Sequence, residues 1–336
     1  MRPFSYSRET DAPTAVQSAS IAASSHVESR IQYLGGGTTL LDLMKLDVMQ
    51  PDTLVDITGL TAKYATIAES NGTLRIGALA RMADVAESTI INRDYPVLAQ
   101  TMQLAASQQL RNMARAGGNV LQRTRCNYFR DTSYTQCNKR DPGSGCAALD
   151  GFSRLHAILG TSASCIATYP GDWAQGLIAL DAAVEILGKS GPRVIKFADL
   201  HRLPGNTPHI ETNLQPGELI TAFTIQSGPW PVSHYQKSRD RESYEFGLAT
   251  AAVALKMNGD TVQDARIALG GVATKPWRAA AAEASLRGRA LDEDAASQAA
   301  EIAFSGARTT TYNAFKLPLG KATLVRALLQ AKEIVA

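Results

Sequence analysis

Residues 31–46, IQYLGGGTTLLDLMKL, are the most informative stretch for the architecture of this chain. Their first four residues predict a short β-strand, glycines and threonines follow, and the remainder has helical spacing after a threonine cap. Glycine lets backbone N–H groups approach an anion closely, and a helix start adds positive partial charge. The order of strand, glycine loop and helix therefore predicts a cradle for a pyrophosphate, with a tight turn as the alternative.

This glycine loop lacks the signatures of two common nucleotide sites. No Gly-Lys-Ser or Gly-Lys-Thr follows it, as a Walker loop would require. It also lacks G-x-G-x-x-G, which argues against a Rossmann dinucleotide site.

A second glycine pair lies in residues 116–119, Ala-Gly-Gly-Asn, after a helix-like segment over residues 97–113. Two glycine segments predict one ligand held from both sides. The alternative is that Gly117 only ends the preceding helix, a position that favours glycine.

All four cysteines, Cys126, Cys137, Cys146 and Cys165, lie in one 40-residue window with the spacing C-x10-C-x8-C-x18-C. Little periodicity surrounds them, which predicts a loop wrapped around a group. Disulfides are disfavoured because a chain of this size can fold on its core and lacks a secretion signal. Structural zinc usually takes ligand pairs about two to four residues apart, whereas an iron–sulfur cubane accepts thiolates from a long irregular loop. The cluster is favoured, and the other two possibilities stay open.

Basic residues surround these cysteines and would offset the negative charge of a four-thiolate cluster. A solvated basic loop is the alternative, since Asp131, Asp141 and Asp150 lie there too. None of the five histidines forms a convincing nucleophilic or metal-binding set, and His156 is expected to be structural or to support the cysteine loop. The basic residues are Arg123, Arg125, Arg130, Lys139, Arg140 and Arg154.

The composition of the 336 residues indicates a globular protein of roughly two domains. Hydrophobic residues make up 45% and charged residues 19%, which excludes a disordered chain. A net charge of only +3 argues against nucleic acid or an anionic membrane as the main partner. No apolar run approaches the roughly 18 residues of a membrane span, and Arg8, Glu9 and Asp11 stand where a signal peptide would be apolar. We therefore expect neither membrane insertion nor an export signal.

Local patterns along the remaining chain predict an α+β organisation. Residues 65–79 form a hairpin around Asn71-Gly72, and a helix with Asp172 near its cap leads into a second hairpin over residues 183–197. Residues 201–216, rich in Pro and Asn, form a loop expected to cover a site. From about residue 230 strands are followed by Ala-rich amphipathic helices, so a boundary is expected between residues 227 and 234.

Six blocks spread over nearly the whole chain resemble the FAD-binding medium subunit of molybdenum hydroxylases, the xanthine dehydrogenase family. Within that family the chain is most similar to the flavin subunits of bacterial periplasmic aldehyde oxidoreductases. The blocks are LGGGTTLLDLMKL (34–46), QLRNMARAGGNVLQRTRC (109–126), CNKRDPGSGCAALDGFSRLHAILG (137–160), CIATYPGDWA (165–174), KSRDRESYEFGLAT (237–250) and ARIALGGVATKPWRA (265–279).

The resemblance implies an α+β fold in which a two-subdomain FAD-binding unit of the vanillyl-alcohol-oxidase (PCMH) type precedes a C-terminal domain of antiparallel sheet and helices. It implies an N-terminal FAD-binding subdomain at residues 1–60. A second FAD-binding subdomain would span residues 61–228 and contain the cysteine loop (residues 119–166). The C-terminal flavoprotein domain would span residues 229–336.

The resemblance also implies two cofactors, FAD and a [4Fe-4S] cluster. The four cysteines match the cluster ligands of this branch of the family. Arg115 and Ala116 stand where the family often has Thr or Ser, so the Arg115 charge would replace a hydroxyl contact to the diphosphate. The implied FAD-binding residues are Gln32, Tyr33, Leu34, Gly35, Gly36, Gly37, Thr38, Thr39, Leu40, Arg115, Ala116, Gly117, Gly118, Asn119, Asp172, Ile220 and Lys237.

By the same resemblance the chain is an electron-transfer subunit of a molybdenum-dependent aldehyde oxidoreductase. Its partners would be a large molybdenum-cofactor subunit that oxidises the substrate, a small [2Fe-2S] subunit and an external electron acceptor, and no catalytic acid or base is expected here. The alternatives are the flavin subunit of a xanthine or heterocycle dehydrogenase and a free-standing flavin oxidase. The complex would be periplasmic by co-export with a signal-bearing partner, or cytoplasmic.

Overall fold

The computed structural model describes residues 1–21, 24, 28–226 and 228–334. Within them, three sheets follow one another along the chain, each with helices packed on it. The strands are β1 (Ser5–Arg8), β2 (Ile31–Leu34), β3 (Thr53–Asp56), β4 (Ile67–Ser70), β5 (Thr73–Gly77), β6 (Ala183–Gly188), β7 (Gly191–Lys196), β8 (Leu219–Ile225), β9 (Ser233–Ser238), β10 (Ala249–Asn258), β11 (Thr261–Gly270) and β12 (Trp277–Arg278). The α-helices are α1 (Ala12–Ala19), α2 (Leu40–Lys45), α3 (Thr61–Tyr64), α4 (Met82–Glu87), α5 (Thr89–Asp94), α6 (Pro96–Gln103), α7 (Gln108–Met113), α8 (Ala116–Val120), α9 (Asn127–Arg130), α10 (Trp173–Ala179), α11 (Ala280–Leu286), α12 (Glu293–Ala303) and α13 (Lys316–Glu333).

The first sheet has the order β1-β3-β2, and its strand pairs are parallel. Ala15 and Val16 of α1 are buried in one core with Val55 of β3. The glycine loop follows β2 directly and leads into α2, as the sequence predicted. It therefore lies at the carboxyl edge of this parallel sheet, where ligands of open α/β sheets commonly bind.

The second sheet is antiparallel, with the order β4-β5-β8-β6-β7. The predicted hairpin around Asn71 and Gly72 is confirmed, because both residues have the positive φ, 51° and 72°, that a type I′ turn requires. Helix α10 covers the sheet, and the buried rings of Trp173 and Phe223 meet edge to face with centroids 6.2 Å apart. Helix α8 contacts β8, so this core positions the second glycine pair.

The helix predicted over residues 97–113 is interrupted, which corrects that interpretation. Helix α6 ends at Gln103, Ala106 has a φ of 53°, and α7 begins after Ser107. The Ser107 hydroxyl accepts a hydrogen bond from the Leu110 amide at 3.3 Å, so it caps a new helix. Gly117 lies inside α8, so its alternative role as the end of the preceding helix is wrong.

Two predicted helix caps are not made by the expected side chains. Thr39 precedes α2 in a helical conformation and makes no capping hydrogen bond through its side chain. Asp172 occupies the position before α10, but its carboxylate bonds to Tyr235 and Lys237 instead. The Asp172 carboxylate thus bonds to side chains of the distant strand β9 and does not cap the first turn of α10.

The C-terminal sheet has the antiparallel order β12-β11-β10-β9. Along β10 successive side chains face opposite sides, as expected for a strand buried on both faces. Ala252 and Ala254 pack into the core of the second sheet, whereas Ala251, Val253 and Leu255 pack with the C-terminal helices. The C-terminal sheet therefore packs against the core of the second sheet through a shared apolar layer.

This architecture agrees with the expected fold class, a two-part α+β unit followed by a sheet-and-helix domain. The predicted boundary between residues 227 and 234 falls between β8 and β9, although residue 227 lies outside the described residues. The three domain ranges stay a prediction. Among the described residues, none of the helices combines the length and apolar character needed to cross a bilayer.

Candidate functional site

A cleft lies between the glycine loop, helix α8, the cysteine loop and the segment at residues 201–216, which we term the strap. Residues of the strap line this cleft, and its role as the cover of a bound ligand stays a prediction. Cys165 and Lys139 of the cysteine loop also line it. The predicted FAD-binding residues that line the cleft are Gln32, Tyr33, Gly35, Gly36, Gly37, Thr38, Thr39, Leu40, Arg115, Gly117, Gly118 and Ile220.

Gly36 allows the two glycine segments to approach each other. A Cβ at this position would overlap the carbonyl oxygen of Met113, the last residue of α7. The chain continues from Met113 through Arg115 into α8, so this contact sets the spacing of the two segments. Gly37 has a φ of +73°, a left-handed conformation that favours glycine. The course of the backbone therefore requires glycine at positions 36 and 37.

Two buried polar atoms beside the second glycine segment have no hydrogen-bond partner: Arg115 Nε and Asn119 Oδ1. Arg115 Nη1 donates to the Leu79 carbonyl oxygen at 3.1 Å. Burial, with the neighbouring charge of Arg81, lowers the pKa of Arg115. Arg115 is half-buried at the cleft, and a cation without an anionic hydrogen-bond partner in such a position is a good partner for a diphosphate. The donor set of this cleft therefore fits a dinucleotide such as FAD.

The strap is held against the cysteine loop by two largely buried ion pairs. Glu211 of the strap accepts from Lys139 Nζ at 2.8 Å and forms a second ion pair with Arg123. Lys139 Nζ also donates to the Pro208 carbonyl oxygen at 3.0 Å. Burial alone would raise the pKa of Glu211, but the charges of Lys139 and Arg123 lower it to about 2. The Glu211 carboxylate thus connects the strap to the cysteine loop.

The four cysteines are free thiols, and an antiparallel β-bridge pairs Cys137 with Cys146. Burial raises the pKa of Cys126 to about 12, and it also raises those of Cys146 and Cys165. Cys137 and Cys165 add to the rise at Cys126, and Cys137 and Cys146 add to the rise at Cys165. The thiols are therefore within electrostatic reach of each other.

Backbone amides are directed at these sulfurs. The Ala167 amide lies 3.4 Å from Cys165 Sγ. Amide hydrogen bonds from Phe129 to Cys126 and from Ala148 to Cys146 lower the thiol pKa values against the effect of burial. Amides aimed at thiolates are typical of iron–sulfur sites, where they stabilise the negative cluster.

Within the described part of the chain, no three Cys, His, Asp or Glu side chains converge on one point as ligands of a single metal ion. A mononuclear zinc site would place its sulfurs about 2.3 Å from one centre. Four sulfur donors are the ligand set that an iron–sulfur cluster requires, and the binding of a cluster by these cysteines stays a prediction.

Most of the basic residues predicted to offset cluster charge have other partners. Arg125 and Arg130 bond to Asp42 of α2, at 3.2 and 2.8 Å. Arg154 pairs with Asp240 at 2.7 Å, and Arg140 donates to carbonyl oxygens of Tyr128 and Phe129. Lys139 also has another partner, Glu211, but its charge in addition lowers the pKa of Cys165 against the effect of burial. The basic side chains mainly fix the loop to the rest of the fold.

His156 contacts a cysteine directly. Its Nε2 atom lies 3.1 Å from Cys126 Sγ, and the side chain is buried. Burial, with the nearby charge of Lys316, lowers the pKa of His156 to about 4. The expectation that His156 supports the cysteine loop agrees with this geometry.

Asp172 and Lys237, two of the predicted FAD-binding residues, bind each other. Lys237 Nζ lies 2.8 Å from an Asp172 oxygen, and the Tyr235 hydroxyl donates to the other oxygen at 2.6 Å. Both charged side chains are at least 95% buried, between α10 and β9. This pair links the second sheet to the C-terminal sheet, so a direct role of either residue in FAD binding stays a prediction.

The other predicted FAD-binding residues lie behind the cleft surface. Leu34 packs into the apolar cluster that contains Cys137, and Ala116 is fully buried in α8. The Asn119 amide faces Met82 Sδ at 3.3 Å.

Two residues of this region were not anticipated from the sequence, Glu211 and Asp42. Each is an acidic residue far from the cysteines in sequence that pairs with basic residues of the cysteine loop. Glu211 lies outside the six blocks of resemblance, and Asp42 lies in the block 34–46 without a pattern that predicts its partners. The available signal was the excess of basic residues in the loop, which implies acidic partners without saying which.

The comparisons with known proteins agree with this arrangement. Residues 5–226 match the family described as the FAD binding domain in molybdopterin dehydrogenase. The chain belongs to this FAD-binding family. Residues 233–331 match the CO dehydrogenase flavoprotein C-terminal domain, which covers β9 to α13.

Members of the family resemble the chain over most of its length. The aldehyde oxidoreductase FAD-binding subunit PaoB of Escherichia coli K12 is 45% identical over 99% of both chains. The glyceraldehyde dehydrogenase medium chain of Sulfolobus acidocaldarius is 27% identical over 78% of this chain and 75% of its own. Among solved structures, a Cu,Mo-CO dehydrogenase matches with a TM-score of 0.76 at 24% identity, covering 99% of this chain and 100% of that chain. At that identity the structural match establishes the fold.

Proposed function

We propose that this chain is the electron-transfer subunit of a molybdenum-dependent aldehyde oxidoreductase complex and carries both FAD and a [4Fe-4S] cluster. The observation that carries the proposal is that one cleft is lined by both glycine segments and by Cys165 and Lys139 of the cysteine loop. Two redox groups bound at these places would be neighbours. The 45% identity to an aldehyde oxidoreductase FAD-binding subunit supports an aldehyde as the substrate of the complex.

The FAD site would be built from backbone donors and one cation. The glycine loop and the start of α2 would receive the diphosphate, and Gly117 and Gly118 would approach it from the opposite side. Arg115 would supply the charge. When bound, FAD supplies a carrier that can receive electrons and release them to another molecule. The strap would exclude water from the cleft.

The cluster would be held by Cys126, Cys137, Cys146 and Cys165. Support comes from the effect of the thiols on one another's pKa, from the burial of Cys137 and Cys165, and from the amides directed at Cys126, Cys146 and Cys165. Lys139 would place one positive charge beside Cys165.

The remaining parts of the proposal concern partners. Substrate oxidation would occur on a large molybdenum-cofactor subunit, and a small [2Fe-2S] subunit would relay electrons to this chain. An external acceptor would then receive them. The complex would work in the periplasm after co-export with a signal-bearing partner, or in the cytoplasm.

Anaerobic reduction of the flavin tests this function. The complex purified with its partner subunits is mixed with acetaldehyde or benzaldehyde without an acceptor, and the flavin absorbance is followed. We expect bleaching in the complex and none when this chain alone meets the same aldehydes. Turnover of aldehyde by the isolated chain would instead identify a free-standing oxidase, and an unbleached flavin in a complex that oxidises aldehyde would refute the electron-transfer role.

A further inference from the structure

The contact between His156 and Cys126 differs from the other contacts to the thiols because it comes from a side chain. The His156 Nε2 atom is 3.1 Å from Cys126 Sγ, a distance at which an N–H can donate to sulfur. The amide of Ala167 contacts Cys165 Sγ instead through the backbone. A cluster-bound thiolate has no proton to give, so the hydrogen of this contact must belong to Nε2.

The C-terminal domain fixes His156 in place. The Asn313 side-chain amide lies 3.5 and 3.3 Å from the carbonyl oxygens of His156 and Ala157. Lys316 Nζ donates at 3.1 Å to the carbonyl oxygen of Leu155, the preceding residue. Asn313 and Lys316 are both buried. Asn313 and the first residue of α13 therefore hold the backbone that presents the imidazole to the sulfur.

We propose that His156 is a positioning residue that donates a hydrogen bond to Cys126 and thereby raises the reduction potential of the cluster. This inference rests on the proposed function, because it requires the four thiolates to bind a cluster. A hydrogen bond to a ligand sulfur stabilises negative charge, and the reduced cluster carries one more negative charge than the oxidised one. Its loss therefore makes the cluster harder to reduce.

The test compares two substitutions in the purified complex. His156→Leu removes the donor and keeps an apolar side chain, whereas His156→Gln retains an amide N–H. Iron, acid-labile sulfide and flavin are quantified, and the midpoint potential of the cluster is measured by redox titration followed by electron paramagnetic resonance. We expect wild-type cofactor contents in both, a more negative potential in His156→Leu, and a potential between the two in His156→Gln.

The controls separate this inference from the proposed function. His234→Leu, on β9, makes the same chemical change away from the cysteines and should leave the potential unchanged. A wild-type potential in His156→Leu with a full cluster would overturn the inference alone. Equal loss of iron from His156→Leu and His156→Gln would also overturn it, because a donor would then not be the relevant property. A wild-type complex without iron would refute the cluster itself.

Discussion

The glycine-lined cleft and the cysteine loop would hold their groups by different means. In the cleft the backbone path is set by Gly36 and Gly37 within one strand–loop–helix unit. The cysteine loop has little regular structure and is held by side chains from distant elements, including Asp42, Glu211 and Asn313. The backbone of the glycine loop can therefore be recognised in a local stretch of sequence, whereas the arrangement of the cysteine loop depends on long-range polar contacts.

The largest expected effect is the loss of the cluster on Cys137→Ser. Serine offers a hydroxyl in place of a soft thiolate ligand, so we expect iron and sulfide to fall to near zero. FAD should remain bound, because the glycine segments do not need this sulfur. Cofactor content of the purified variant measures both.

Ser133→Ala is the matched control for that variant, since it lies exposed in the same loop and removes no thiol. Cys165 and Lys139 line the same cleft as the glycine segments, so the glycine-lined cleft and the cysteine loop are in contact. Simultaneous loss of FAD and iron from Cys137→Ser would show that they form a single unit.

Glu211→Gln should destabilise the junction of the two regions. The substitution keeps the shape of the side chain but leaves Lys139 and Arg123 buried without their anion. Breaking a buried pair in this way costs about 3–5 kcal/mol of unfolding free energy. Urea unfolding monitored by circular dichroism measures it.

Glu301→Gln is the control for the carboxylate change. Glu301 pairs with Lys321 on the surface, where an ion pair contributes about 0–1 kcal/mol. Equal stability of Glu211→Gln and Glu301→Gln would mean that the strap is not fastened by this pair.

Gly36→Ala should act on the cleft through the backbone. The new methyl group would overlap the Met113 carbonyl, and overpacking of this kind costs about 1–3 kcal/mol of unfolding free energy. FAD should be lost with it, because the two glycine segments would separate. Thermal unfolding and flavin content of the variant measure these effects.

Gly118→Ala gives the complementary result. A Cβ at Gly118 meets no protein atom within 4 Å, and alanine favours a helix more than glycine does, so the free energy of unfolding should rise by up to about 1 kcal/mol. The methyl group would enter the cleft, and FAD affinity should fall about tenfold, equivalent to about 1.4 kcal/mol. Unchanged affinity would place the diphosphate away from α8.

A further expected effect is a loss of stability in mild acid from His201. Burial lowers the pKa of this strap residue from 6.5 to about 4. The unfolded chain therefore binds the proton first as the pH falls from 6.5 towards 4, and stability decreases over this range. By pH 5 the loss relative to pH 8 should be about 2 kcal/mol.

Urea unfolding at both pH values compares the wild type with His201→Gln. The Nε2 atom of His201 contacts the Val120 carbonyl oxygen at 3.1 Å, and the glutamine amide can replace that donor. His156 contributes a similar acid loss in both proteins, so the difference between them isolates His201. An identical pH dependence would mean that the imidazole is not desolvated.

The sequence predicted those features that short-range patterns determine. The hairpin at Asn71-Gly72, helix α10 and the strand–glycine–helix unit all follow from local residues. The break at Ala106 and the roles of Ser107 and Asp172 did not, because each depends on which local and distant partners compete. In the candidate site, residue type and spacing single out the cysteines and glycines, whose roles stay predictions, whereas the pairing of Glu211 with Lys139 could be seen only in the folded chain.

The ratio of iron and acid-labile sulfide to flavin in the anaerobically purified complex tests the central claim most directly. After subtraction of the iron and sulfide that belong to the partner subunits, the account predicts about four of each per FAD for this chain. A yellow chain that binds FAD but no iron, or a colourless chain with neither, would contradict it.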